Sequence, residues 1–236
     1  MPELNWNPDE ETLNIVRRIK PIIQHIDITQ FRGKNYHRES WIKVIDNCNF
    51  IENLHIDSVS SPTNIITCFQ EDYLLEGLSM VVLWGTMFRQ KRRIYAENLE
   101  SLKENLLQAK QLIQDNLNIE SSWNILVQNL GWTNVTTSKV LHFLSRALDI
   151  TNPPVPIDNA IIKNKVWRQL REYINGNNLN TVPKWFDTGN TFAAYNRYMT
   201  AIIVWAEIYG LSTIKFEAAL FNYCRINGPI EFGEIN

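Results

Sequence analysis

Apolar residues recur at helical spacing through nearly every long segment of this chain. The clearest case is "ENLESLKENLLQAKQLIQDN", residues 97–116, in which Leu99, Leu102, Leu106 and Ile113 share one face. Strand signals are few, and the best of them is "NIITCF", residues 64–69. The periodicity therefore predicts an all-α protein of about eight to ten helices.

Capping residues and helix breakers predict where the helices begin and end. The first, "NPDEETLNIVRRIK", has Asn7 as N-cap and Pro8 at its first position, and Pro21 is predicted to stop it. A later helix, "ESSWNILVQNLG", is predicted to end at Gly131. A boundary between two helical lobes is predicted near residue 118 or near residue 180.

Composition limits the classes of function. The chain has 236 residues, a net charge of −2 and 20% charged residues, so nucleic-acid contact has to come from local basic patches. The scattered cysteines, Cys48, Cys68 and Cys224, argue against a disulfide framework, a zinc site and an iron–sulfur cluster. We expect no metal or cofactor, no membrane span and a cytoplasmic location.

Two helices joined by the short turn "WTNVT" predict a helical hairpin. Backbone N–H groups at the start of its second helix, "TSKVLHFLSRAL", are suited to holding one DNA phosphate. The side of that helix predicted to face the core carries Val140, Leu144 and Ala147. The opposite side carries Lys139, His142 and Arg146.

Lys139 is predicted to lie in the first turn of the second hairpin helix. The helix dipole lowers the pKa of a cation placed there, which makes the amine a better nucleophile. The alternative interpretation is an ordinary solvated lysine.

Asp158 follows the proline-rich stretch "TNPPVP" and begins the next predicted helix. Pro156 restricts Val155 to extended conformations, so the approach to the aspartate is stiff. A carboxylate held in this way is suited to capping a helix. It is equally suited to stabilising a positively charged, sugar-like transition state.

The chain resembles the helix–hairpin–helix DNA glycosylase superfamily in its hairpin, its proline loop and the aspartate of "VPIDNA". It also has a lysine early in the second hairpin helix, as do the members of that superfamily related to 8-oxoguanine DNA glycosylase. Lys139 and Asp158 are 19 residues apart (158 − 139), which suits that family. The closing segment "KFEAALF", with Glu217 and Phe221, is similar to that of bacterial relatives. Where the family hairpin has glycines, this chain has Asn134 and Thr136 or Thr137, and a shift of one residue puts Ser138 at the lysine position.

The resemblance implies a two-lobed helical enzyme that flips a modified base from double-stranded DNA and cleaves its N-glycosidic bond. Asp158 is the implied catalytic acid, and Lys139 the implied nucleophile of an additional strand-cutting lyase step. Residues 118–236 form the implied glycosylase region, and residues 1–117 complete the core and part of the base pocket.

Two sets of residues are predicted to contact DNA. The predicted backbone contacts are Arg89, Lys91, Arg92, Arg93, Asn134, Thr136, Thr137 and Ser138. The predicted base-pocket residues are Trp84, Phe88, Trp132, His142 and Trp185. For the basic run the alternative is a solvated helix end, and for each tryptophan it is a place in the core.

We expect a monomer that associates with the nucleoid through DNA. The expected substrate is an oxidised purine or a hypermodified base of phage DNA, in repair or in antiviral defence. The alternative is a non-catalytic helical module that binds DNA or a protein partner and retains the hairpin.

Overall fold

The computed structural model describes Leu4, residues 6–24, Ile26, and residues 61–85, 99–177 and 191–235. Within these residues the chain is mostly helical, with nine α-helices, one π-helix and two short strands. The helices are α1 Glu10–Val16, α2 Pro62–Gln70, α3 Leu74–Trp84, α4 Leu99–Asn116, α5 Ile119–Leu130, α6 Asn134–Ala147, the π-helix Asn159–Trp167, α7 Arg168–Gly176, α8 Phe192–Ile208 and α9 Thr213–Asn227. The strands are β1 Ile19–Ile22 and β2 Glu231–Glu234.

Two local predictions about the first helix are wrong, and the best of the few strand signals does not form a strand. The N-cap of α1 is Asp9, whose side chain accepts a hydrogen bond from Thr12 N, and not Asn7. The stretch "NIITCF" is helical, inside α2, because Ser61 caps that helix and Pro62 starts it. Pro21 lies within β1, opposite Phe232, where a two-stranded sheet tolerates the missing N–H donor.

The described residues fall into two compact units. The first comprises Met1–Leu4 and Gly33–Pro154, and includes α2 to α6. In it α4 packs against α5, α2 packs against α3, and α6 contacts all four of these helices. Because α6 has neighbours on every side, it is the central helix of this unit.

The second unit comprises Asn5–Arg32 and Val155–Asn236. Here β1 pairs with β2 in antiparallel register, and α1 and α9 pack against α8. Several hydrogen bonds join the distant segments; for example, Asp9 N donates to Thr200 Oγ1 at 3.0 Å, and Trp205 Nε1 donates to Ile19 O at 2.9 Å. The first and last parts of the chain thus share one core.

One of the divisions between the two units lies between Pro154 and Val155. Because α5 packs on α4 and α6 packs on both, residues 119–147 belong to the first unit. Among the described helices none is by itself long and apolar enough to cross a membrane. Taken together, α8 and α9 meet those two criteria, as a pair bent by 95°.

Candidate active site

The helical hairpin is formed by α5 and α6 in the first unit. As predicted, Gly131 ends α5, with a left-handed φ of 59° that suits glycine. The connection is shorter than predicted, because Thr133 is already the extended N-cap residue and α6 begins at Asn134. Lys139 is therefore the sixth residue of α6, one turn further from the helix start than expected.

Burial of α6 extends beyond the side predicted to face the core. Its residues 134–145 are all buried, and so is Ala147. Lys139 and His142, predicted on the opposite side, are only 3% and 4% exposed. The physical reason is the central position of α6, whose polar side is covered by neighbouring helices as completely as its apolar side.

The Lys139 ammonium lies at the C-terminal end of α3. Its Nζ donates a hydrogen bond to the backbone oxygen of Gly85 at 3.2 Å. Carbonyl groups at a helix C-terminus carry partial negative charge, so they stabilise a cation. A Cβ at position 85 would lie 2.9 Å from both Cδ and Nζ of Lys139, so only glycine leaves room for the side chain as it lies.

Two predicted site residues, Trp84 and His142, pack against Phe143. The Trp84 ring packs edge to face against the Phe143 ring at a centroid distance of 5.0 Å. The His142 ring makes the same kind of contact with Phe143 at the same distance. Lys139 precedes Phe143 by one helical turn and contacts Gly85, the residue after Trp84. The structure thus assembles Trp84, Lys139 and His142 in one cluster of the first unit.

His142 also fixes the start of the proline loop. Its Nδ1 lies 2.7 Å from the backbone oxygen of Pro154, within the same unit. Because a carbonyl oxygen only accepts, Nδ1 carries the proton in this contact. The contact therefore sets the tautomer of a neutral His142 and leaves Nε2 as the acceptor nitrogen.

The predicted DNA-contacting side chains of the hairpin are buried. Asn134, Thr136, Thr137 and Ser138 are at most 4% exposed. Ser138 Oγ donates to Val135 O at 3.2 Å, so this hydroxyl serves the helix backbone. Trp132 is 1% exposed, which places this predicted pocket residue in the core.

Six other predicted site residues lie outside the part of the chain that the structure describes. They are Arg89, Lys91, Arg92, Arg93, Phe88 and Trp185. Their predicted roles in contacting the DNA backbone and the base remain predictions.

Asp158 belongs to the second unit and is the N-cap of the π-helix. Its backbone is extended, and Oδ1 accepts a hydrogen bond from Ile161 N at 2.7 Å. Its backbone oxygen accepts from Lys163 N at 3.0 Å, the five-residue spacing of a π-helix. The capping role predicted for Asp158 is confirmed. A carboxylate has about four lone-pair sites, so one capping bond is compatible with a second role.

The residues just before Asp158 are bound by side chains of α8. Tyr195 donates to Val155 O at 2.9 Å, and Tyr198 donates to Pro156 O at 3.1 Å. Val155 N donates to Met199 Sδ at 3.3 Å. The sequence analysis missed these residues, although the spacing of "YNRYM" places all three on one face of a helix.

Burial shapes the electrostatics around these residues. Burial, together with the charge of Glu217, raises the pKa of Tyr195 well above its ordinary value, and the hydrogen bond to Val155 only partly opposes this. Glu217 is itself only 3% exposed. In the π-helix, burial lowers the pKa of Lys163, a residue that the sequence analysis did not single out.

Cysteine chemistry is not favoured in the described residues. Burial raises the pKa of Cys68 and of Cys224 to about 12, so both thiols stay protonated and weakly nucleophilic at neutral pH. No group of three His, Cys, Asp or Glu side chains within this part of the chain is arranged to hold a metal ion.

Comparison with family models, curated proteins and solved structures gives no significant match.

Proposed function

We propose that this protein is a DNA glycosylase that excises a modified base from duplex DNA. The observation that carries the proposal is the setting of Asp158, a carboxylate held at a helix start by a proline loop whose backbone is hydrogen-bonded to side chains. The short hairpin of α5 and α6, and the cluster of Lys139, Trp84 and His142, support the same interpretation.

The proposed role of Asp158 is electrostatic. When the bond between C1′ and the base nitrogen breaks, the deoxyribose develops positive charge, which a fixed carboxylate stabilises more than it stabilises the neutral ground state. The departing base takes the bonding electron pair and is protonated. Either water or an amine then occupies C1′, and water leaves an abasic site.

Lys139 is the proposed amine for a covalent route. Once the ammonium has given up a proton to solvent, its neutral amine bonds to C1′, the sugar ring opens as O4′ takes up a proton, and an imine remains between C1′ and Nζ. Borohydride reduces such an imine to a stable amine, so it traps a protein–DNA adduct. We expect Lys139→Gln to eliminate that adduct.

A non-catalytic module that binds DNA through the hairpin is the second candidate. The burial of Lys139 and its hydrogen bond to Gly85 O favour it, because both are ordinary for a structural lysine in a core. Such a module binds duplex DNA and releases no base from any substrate.

The experiment that separates the two candidates is incubation of the protein with a panel of duplexes and phage DNAs. The panel holds oxidised purines, alkylated bases and hypermodified pyrimidines, and abasic sites are counted afterwards. Abasic sites in at least one DNA, absent with Asp158→Asn, support the glycosylase. If the protein binds every DNA of the panel and forms abasic sites in none, the result supports the non-catalytic module.

A further inference from the structure

Every main-chain polar group of Val155 and Pro156 is bonded to a side chain of α8. Val155 offers one N–H and one carbonyl, and Pro156 offers only a carbonyl because its ring removes the donor. Met199 takes the N–H, Tyr195 binds the first carbonyl, and Tyr198 binds the second. The three partners stand at positions i, i+3 and i+4, so one rigid face of α8 holds the loop.

Little freedom remains between this contact and Asp158. Ile157 is the one residue between Pro156 and the aspartate, and it is only 4% exposed. Asp158 then bonds the π-helix through both its side chain and its backbone oxygen. The position of the carboxylate is therefore determined on one side by α8 and on the other by the start of the π-helix.

We infer that Tyr195 and Tyr198 are positioning residues for Asp158, acting by fixing the backbone of Val155 and Pro156. This inference rests on the proposed function, in which Asp158 is the catalytic carboxylate. Neither tyrosine touches the reacting atoms in this role. Because burial keeps the Tyr195 phenol protonated, it donates its hydrogen bond throughout the neutral pH range.

The test compares Tyr198→Phe, Tyr195→Phe and the double variant with the wild-type protein. Each substitution removes a hydroxyl and keeps the ring, so the packing of the ring is preserved. The matched control is Tyr209→Phe, because Tyr209 of the same unit also donates from its hydroxyl to a prolyl oxygen, that of Pro21. The control thus loses the same kind of hydrogen bond, but between residues that are distant in sequence from the proline loop.

Activity is measured on a DNA in which the wild-type protein produces abasic sites. For Tyr198→Phe we expect kcat to fall roughly tenfold, the equivalent of one hydrogen bond, with KM for DNA unchanged. Tyr209→Phe should keep the wild-type kcat, even though it loses comparable thermal stability. An unchanged kcat in the double variant, or an equal loss in the control, would overturn the inference.

Amide hydrogen exchange of the peptide covering residues 157–163 gives a second readout, independent of activity. In both single variants the amides of Ile161 and Lys163, which bond to Asp158, should exchange faster, while Tyr209→Phe leaves them unchanged. Unchanged exchange in the double variant would overturn the inference. If the wild-type protein forms no abasic sites in any DNA, the proposed function fails, and exchange alone decides whether the tyrosines hold this segment.

Discussion

Lys139 is 3% exposed, and its Nζ donates to the backbone oxygen of Gly85. Its residue type and its spacing from Asp158 made it a candidate nucleophile, but its hydrogen-bond acceptor could not be predicted from the sequence. Gly85 lies 54 residues earlier in the chain and ends a different helix. What the amine can do therefore depends on a contact between distant segments, and Gly85 becomes the residue through which that contact can be tested.

At the residue scale we predict that Gly85→Ala displaces the Lys139 amine. The new Cβ would lie 2.9 Å from Nζ, so the side chain has to move. If Lys139 is the nucleophile, the yield of borohydride-trapped adduct should fall on the order of 100-fold, as expected for a misplaced reacting group.

The control for this prediction is Gly77→Ala, within α3, the helix that Gly85 follows. Its Cβ would lie 2.7 Å from the Phe69 ring and not near Lys139, so it introduces similar crowding elsewhere. Both variants should lose stability in urea by about 1–3 kcal/mol. Equal adduct yields from the two variants would contradict a catalytic role for Lys139.

The helices and their ends were largely predictable from the sequence. The tertiary neighbours that bury their side chains were not. The stop at Gly131 and the cap at Asp158 follow from local chemistry, and the structure has both. The burial of Lys139 and His142 was not predictable, because the apolar pattern of α6 marks only one face and tertiary neighbours cover the other. The π-helix after Asp158 also has no sequence signal that we recognise.

At the element scale we predict that Gly131→Ala weakens the hairpin. Gly131 has a φ of 59°, so an alanine there costs about 1 kcal/mol of stability from backbone strain, although no atom crowds its Cβ. Gly176→Ala is the control, since its Cβ is equally uncrowded and its φ is not left-handed. Urea denaturation should show a loss only for Gly131→Ala. Equal stabilities would mean that Gly131 does not end α5 in this conformation.

The second unit joins the two ends of the chain. Residues 5–32 and 155–236 share one core, and β1 pairs with β2 across more than 200 positions of sequence. Helical periodicity predicts which face of a helix is buried but not which distant segment covers it. The pairing of β1 with β2 was therefore not predictable from the sequence.

At the scale of the whole molecule we predict that Phe232→Ala destabilises the second unit. Phe232 is 7% exposed, and its ring packs against Trp205 at 5.6 Å and Tyr173 at 6.2 Å. Its loss should cost about 3 kcal/mol, seen as a lower urea midpoint by tryptophan fluorescence. Ile226→Ala, at a side chain that is 64% exposed, should stay within about 0.5 kcal/mol of wild type. Equal midpoints for both variants would place Phe232 outside the core.

In the proposed function the Asp158 carboxylate drives base excision, and Asp158→Asn tests this role most directly. Asparagine caps a helix about as well as aspartate, so the substitution removes the charge while the cap and the fold persist. Asp9→Asn is the control, because Asp9 caps α1 of the same unit through the same kind of bond, to Thr12 N. Abasic sites are counted over time in a DNA from which the wild-type protein excises a base.

In that measurement we expect Asp158→Asn to form abasic sites at least ~100-fold more slowly than wild type, a loss of about 3 kcal/mol of transition-state stabilisation. Its melting temperature and its affinity for DNA should match those of the wild-type protein, and Asp9→Asn should remain active. Wild-type turnover by a folded Asp158→Asn protein would contradict the account and leave Asp158 with the role of a helix cap.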